Sequence, residues 1–219
     1  MAQDTGSAPV SESDIPQRTA AADYALFFRK WLEKGRGISS AVPSSRTMAL
    51  KMLEAIDFSR PGVIVELGAG TGAVTEFIVE RLRPHHRFVA VENDPEFVEV
   101  LRRRFPNQMI IQADATRLSE PLANFGIHRV KYVVSCLPTP AFSKRSIVRF
   151  ARWVEQSLDA DGLFLQLTIA PLIYKGFYER LFEHVNYRMV WRNVPPGGVY
   201  HCRRPRRTTM RKQFAGGRR

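Results

Sequence analysis

From Gly62 onward, short apolar runs alternate with amphipathic stretches. "GVIVEL" (62–67) is a β-branched run of strand length, and the residues from Ala73 to Leu82 follow with helical periodicity. "RFVAVE" (87–92) predicts a second strand, and "DPEFVEVLRRRF" (94–105) a second helix with Pro95 in its first turn. "QMIIQAD" (108–114), "VKYVVSCL" (130–137) and "GLFLQLT" (162–168) continue the series, with a helix over 144–158. Strands alternating with helices at this spacing mean βαβ units and a parallel sheet. After "APLIYKGFYERLFEHV", the strand-like runs "YRMVWRNV" and "GGVYHCR" flank Pro-Pro-Gly-Gly and predict a closing hairpin. There is no internal repeat, and no linker after residue 60.

Upstream, "AADYALFFRKWLEK" (21–34) places apolar residues at 24, 27, 28, 31 and 32, one face at helical spacing, with Arg29, Lys30 and Lys34 on the other side. Fourteen helical residues span about 21 Å, too short to cross a bilayer but long enough to lie on one. Packing of the same face on the sheet fits the pattern equally well. A lid docked against both ligand and lipid satisfies both readings. The first 17 residues are polar, without an apolar signal region, and predict a disordered leader.

The chain has 219 residues, enough for one sizeable domain and short for two. Two cysteines without CxxC spacing or a histidine cluster argue against a disulfide framework or a metal site, and favour a reducing compartment. The formal net charge is +12, and the stretch from Arg203 to Arg219 carries eight Lys or Arg with no acid. The rest holds 25 basic and 21 acidic residues. Such a tail attracts polyanions, either nucleic acid or anionic lipid, or simply stays solvated.

The chemistry concentrates in "VELGAGTG", Val65 to Gly72. Its glycines permit a tight turn and close backbone approach to a ligand. A carboxylate at Glu66 repels a diphosphate but suits a cation or an ammonium group. Glu92 and Asp114 then end the next two strands. A carboxylate at the second strand end can accept from both hydroxyls of a ribose, and one at the third from an exocyclic amine.

"VELGAGTG", "AVEND" and "QADA" resemble the successive ligand-binding motifs of class I S-adenosylmethionine-dependent methyltransferases, over roughly residues 44–200. The resemblance implies an α/β, Rossmann-like fold: a seven-stranded, mostly parallel sheet, helices on both faces and a C-terminal antiparallel hairpin. It implies S-adenosylmethionine as cofactor, leaving as S-adenosylhomocysteine. Glu66, Gly68, Ala69, Gly70, Thr71 and Gly72 would hold the methionine part, Glu92 and Asn93 the ribose, and Asp114 with Ala115 the adenine. The implied organisation is a leader (1–20), an amphipathic helix and lid region (21–60), the cofactor-binding domain (61–203) and a basic disordered tail (204–219).

The strand end "SCLPTPAF" faces the methyl acceptor in such a fold. Base-modifying relatives place an aromatic immediately after their Leu-Pro or Pro-Pro to stack on a flipped base. Here Thr139 follows Pro138, and Phe142 comes three residues too late. Together with "PSS" (43–45) and "NVPP" (193–196), "SCLP" resembles the bacterial phospholipid N-methyltransferases of the PmtA type. Ala69 departs from the proline common there, and the arginine tail lies outside that pattern. This resemblance implies N-methylation of phosphatidylethanolamine toward phosphatidylcholine, by a cytoplasmic protein held peripherally on the inner face of the cytoplasmic membrane. The alternative is methylation of RNA adenine or a small amine, and a non-catalytic protein that keeps the fold is a third reading.

Ser135, or the carbonyls around Leu137, would orient the acceptor amine, and Ser135 also borders the cofactor. Tyr24 and Trp31 would wall a methylated cation, or simply pack. His201 is a candidate acid–base group or a structural histidine. Arg46 would bind a lipid phosphate, or lie in a helix-cap region. Phe27, Phe28, Arg29, Lys30 and Trp31 would meet the membrane. Oligomeric state and the number of methyl transfers leave no mark on the sequence.

Overall fold

The computed structural model describes residues 43–168, 171–191 and 197–206. The expected leader, the helix over 21–34 with Tyr24, Phe27, Phe28, Arg29, Lys30 and Trp31, the "NVPP" segment and the tail from 207 lie outside the described residues. Helix α1 (Pro43–Leu53) precedes β1 (Gly62–Leu67), α2 (Thr75–Val79), β2 (His86–Glu92), α3 (Pro95–Arg104), β3 (Met109–Gln112), α4 (Ser119–Ala123) and β4 (Val130–Ser135). A 3-10 turn (Thr139–Ala141), α5 (Lys144–Ser157), β5 (Leu158–Thr168), α6 (Pro171–Leu181), β6 (Phe182–Val190) and β7 (Gly197–Pro205) complete the chain.

The sheet order is β3-β2-β1-β4-β5-β7-β6, with β5–β7 and β6–β7 antiparallel and the other pairs parallel. β4 is buried along its whole length, as a central strand must be, including Lys131, which pairs with Asp161. Tyr200 meets Tyr178 of α6, while its neighbour His201 borders a cavity shared with Glu54 and Ala55, just past α1. Adjacent strand residues point to opposite faces, so α1 and α6 cover opposite sides of the sheet. α3 starts where the sequence predicts: Pro95 is its first residue, and the Asp94 side chain caps it by accepting from the Glu96 amide at 2.9 Å. Ser143 caps α5 by accepting from the Ser146 amide at 3.2 Å.

Two elements differ from expectation. The hairpin strand that the sequence starts at Tyr187 begins five residues earlier, at Phe182, directly after α6 ends at Leu181. Phe182 is buried with its ring 5.3 Å from that of Phe164, and the ladder to β7 runs from Phe182↔Pro205 to Val190↔Gly197. Pairing with β7, not the local run of β-formers, sets where the strand starts. The short α4 carries too few turns to show periodicity, and was not foreseen.

Candidate active site

Strand order reverses between β1 and β4, since on one side of β1 the sheet runs to β2 and β3 and on the other to β4 and β5. Crevices outside the carboxyl ends of such strands are where open α/β sheets bind ligands. Glu66, Glu92 and Asp114 arrive there from β1, the end of β2 and the loop after β3, and Leu67 pairs in register with Ser135.

The glycine loop requires its glycines. Gly68, Gly70 and Gly72 have φ of 71°, 56° and 88°. A Cβ at Gly68 would lie 2.4 Å from Leu137 Cδ2, and one at Gly72 2.5 Å from Phe105 Cε2. The loop is thus packed between the Leu137 side chain and the end of α3. Arg104 of α3 fastens it, donating to the Thr71 carbonyl and, at 2.9 Å, to Glu76.

Glu66 is fully buried. One carboxyl oxygen accepts from the Thr75 hydroxyl at 2.7 Å, and the other, Oε1, has no hydrogen-bond partner. Burial pushes its pKa up to about 7; the Thr75 hydrogen bond opposes this, and the nearby Glu92 charge adds to it. A buried carboxyl oxygen without a donor fits a ligand that brings one, such as an ammonium group.

Glu92 bridges two loops: Oε2 accepts from the Gly70 amide at 2.8 Å, and Oε1 from the Asn93 and Asp94 amides at 2.7 and 3.0 Å. One of its four lone-pair positions therefore stays open, fewer than the two-hydroxyl contact expected from sequence. Asn93 contributes its backbone, its side chain being exposed. Asp114 accepts from the Thr116 amide through Oδ1 at 2.8 Å, which leaves Oδ2 for an exocyclic amine, and Ala115 is buried beside it. Ala69 and Thr71 are buried within the loop.

Ser135 is buried, and its hydroxyl lies 3.4 Å from the Leu137 amide. The Leu137 carbonyl accepts from both the Gln166 amide and the Thr139 backbone N–H, each at 2.9 Å. Both of its lone pairs are used, so the expectation that it orients an acceptor amine is corrected: Leu137 contributes its side chain against Gly68. Cys136 is buried, and burial with the adjacent Glu66 charge pushes its thiol pKa far up, so it stays protonated. Phe142 packs edge-on to Phe150, with centroids 6.0 Å apart, directed into the α5 core.

His201 is placed elsewhere. Its partner Leu165 alternates with Gln166, so His201 faces the side of the sheet opposite Ser135 and Gln166. It borders a cavity of about 740 Å³ with Leu163, Arg188 and Arg203. Burial, then the Arg188 and Arg203 charges, lower its pKa. The expectation of an acid–base role beside the acceptor loop is corrected on that ground. Arg46 is exposed, its guanidinium 5.2 Å from the centre of the Phe77 ring.

Gln166, Tyr178, Thr139 and Thr75 are site residues that motif reading missed. Gln166 alone left a signal, as the single polar residue inside the apolar run "LFLQL". Among the described residues, no group of three His, Cys, Asp or Glu could hold a metal ion, and no helix is long and apolar enough to cross a membrane.

The family profile described as "Methyltransferase domain" matches residues 64–162. The ornithine lipid N-methyltransferase of Singulisphaera acidiphila is 38% identical over 184 residues, covering 83% of this chain and 96% of the relative. A ribosomal RNA small subunit methyltransferase A of Mycoplasma capricolum is 34% identical over 140 residues, 62% of this chain and 50% of the relative. Among solved structures, a TehB-like SAM-dependent methyltransferase from Corynebacterium glutamicum superposes with a TM-score of 0.57 at 11% identity, covering 82% of this chain and 98% of that one. The glycine loop, the three strand-end acids, the sheet order and these relationships agree: the chain belongs to the class I S-adenosylmethionine-dependent methyltransferases.

Proposed function

We propose that this protein N-methylates the amine headgroup of a membrane lipid. The relationship to a lipid N-methyltransferase over nearly that protein's whole length carries the reading. Phosphatidylethanolamine with its methylated intermediates, and ornithine lipid, both end in an alkyl amine and are the acceptors to compare.

Glu66, through its unpartnered Oε1, suits the ammonium of the cofactor's methionine part, Glu92 a ribose hydroxyl and Asp114 the adenine amine. S-adenosylmethionine supplies, when bound, a methyl group on a sulfonium that an amine lone pair can displace in line. An alkyl ammonium titrates near about 10.4, so freeing its lone pair at pH 7 costs roughly 4–5 kcal/mol. A desolvated loop lowers that cost, because burial disfavours the charged form. The Ser135 hydroxyl can accept an N–H of the neutral amine. Positioning then supplies much of the catalysis without a strong base.

The membrane side of the proposal rests on the amphipathic stretch 21–34 and the basic tail. The competing RNA reading has the ribosomal RNA methyltransferase relative in its favour. Against it, no aromatic follows Pro138, and Phe142 is packed against Phe150. The test supplies labelled S-adenosylmethionine to the protein with anionic vesicles containing phosphatidylethanolamine, vesicles containing ornithine lipid, RNA and small amines in parallel. Label is expected in a lipid amine; label in RNA alone would overturn the proposal.

A further inference from the structure

Behind the acceptor loop lies a buried polar network that none of the sequence motifs covers. Gln166, in register with Ser135 on the neighbouring strand, donates through Nε2 to the Leu137 and Leu167 carbonyls at 2.9 and 2.7 Å. Two carbonyl partners fix which end of the amide is nitrogen. Its Oε1 accepts from the Tyr178 hydroxyl at 2.7 Å, and that hydroxyl also bonds the Thr139 hydroxyl. Gln166, Tyr178 and Thr139 are all fully buried. The Tyr178 ring is set among Phe164, Tyr174, Phe177, Phe182 and Tyr200, so its hydroxyl has one place to be.

We propose that Gln166, held by Tyr178 and Thr139, is the positioning residue of the methyl-acceptor loop. The network grips the loop at two points, the Leu137 carbonyl and the Thr139 side chain, bracketing Pro138. Gripping Leu137 also sets where its side chain rests on Gly68, so acceptor loop and cofactor loop are held in one register. In-line methyl transfer depends on that register, since a displacement of about 1 Å can cost about 10²-fold in rate. A buried amide in an otherwise apolar strand persists only if every polar atom is satisfied, and here each polar heavy atom has its partner. The nature of the acceptor rests on the lipid-amine reading above; the grip on the loop does not.

The test compares Tyr178→Phe, which keeps the ring and deletes the hydroxyl, with Thr139→Val, Thr139→Ser and the Tyr178→Phe/Thr139→Val double variant. Hydrogen exchange at 136–142, read without any acceptor, is expected to quicken about tenfold or more in the Phe and Val variants, while β1 keeps its protection. With the acceptor that wild type uses, kcat is expected to fall about tenfold or more, with KM for S-adenosylmethionine within about twofold. The double variant should be no worse than the worse single one, as for residues acting as a unit. Thr139→Ser should recover both readouts relative to Thr139→Val. Unchanged exchange at 136–142 in Tyr178→Phe, or faster exchange with unchanged kcat, overturns the proposal. If wild type labels no lipid vesicle, the lipid reading fails, while exchange and the turnover of whichever acceptor is labelled still decide the network's role.

Discussion

A carboxyl removed from water, as Glu66 is, ties stability to pH. Its folded-state pKa of about 7, against an ordinary 4.5, means that the folded protein holds a proton which the unfolded chain releases in that window. The contribution is fully present below pH 4.5 and is lost as pH rises through about 7. At about 1.4 kcal/mol per pH unit, that is a loss on the order of 3 kcal/mol as an upper bound. Urea titration of the cofactor-free protein should show the decline between about pH 4.5 and 7, and Glu66→Gln, which stays neutral, should flatten it. Parallel slopes in both proteins would assign the effect to another group. Gly68→Ala should destabilise by roughly 1–3 kcal/mol, because a positive φ and a Cβ 2.4 Å from Leu137 Cδ2 both oppose it. Cofactor affinity, measured by calorimetry, should drop with it. At this scale the sequence is uneven. The glycines and acids announce themselves because their chemistry is local and their spacing is fixed by strand ends. Tyr178 does not, and Gln166 shows only as a polar residue in an apolar run, because they act through contacts 29 and 39 positions away from Leu137 and Thr139.

Among the elements, α3 governs the glycine loop most directly, through Arg104. Arg104→Met removes the bonds to the Thr71 carbonyl and to Glu76, and should weaken S-adenosylmethionine binding about tenfold, the effect of losing a charged hydrogen bond. Arg102→Met, which removes only an exposed pair with Glu99, should leave the affinity unchanged in the same titration. Asp94→Ala should cost about 1 kcal/mol through the lost cap, read as a lower melting temperature. Helices with caps and several turns, α3 and α5, were legible for those reasons. The start of β6 was not, because residues 182–186 become strand only by pairing with β7.

For the whole molecule, alternating elements implied the parallel sheet, and two strand-like runs flanking a Pro-Pro-Gly-Gly sequence implied the closing hairpin. Which hairpin strand meets β5 was not read from sequence, though the contrast was there: β7 opens with buried "GGVY", while β6 carries the exposed Glu183, His184, Asn186 and Arg188. The buried strand takes the inner place and the polar one the edge, where charge discourages further pairing. Charge acts at this scale too. A formal +12 concentrated toward one terminus should make association with anionic vesicles fall steeply as salt rises, measured by co-sedimentation. Removal of residues 207–219, which leaves β7 and the Arg206 bonds intact, should flatten that dependence; an unchanged salt response would place the attraction elsewhere.

Both thiols are buried, Cys136 beside the acceptor loop and Cys202 inside β7, and burial keeps both protonated. They amount to a pair of built-in clocks. A thiol-specific reagent can reach Cys136 when the loop lifts from Gly68, but Cys202 only when the sheet itself comes apart. The ratio of the two labelling rates therefore reports how often the loop opens within an intact protein, without any introduced probe. Bound S-adenosylmethionine should slow the first clock more than the second.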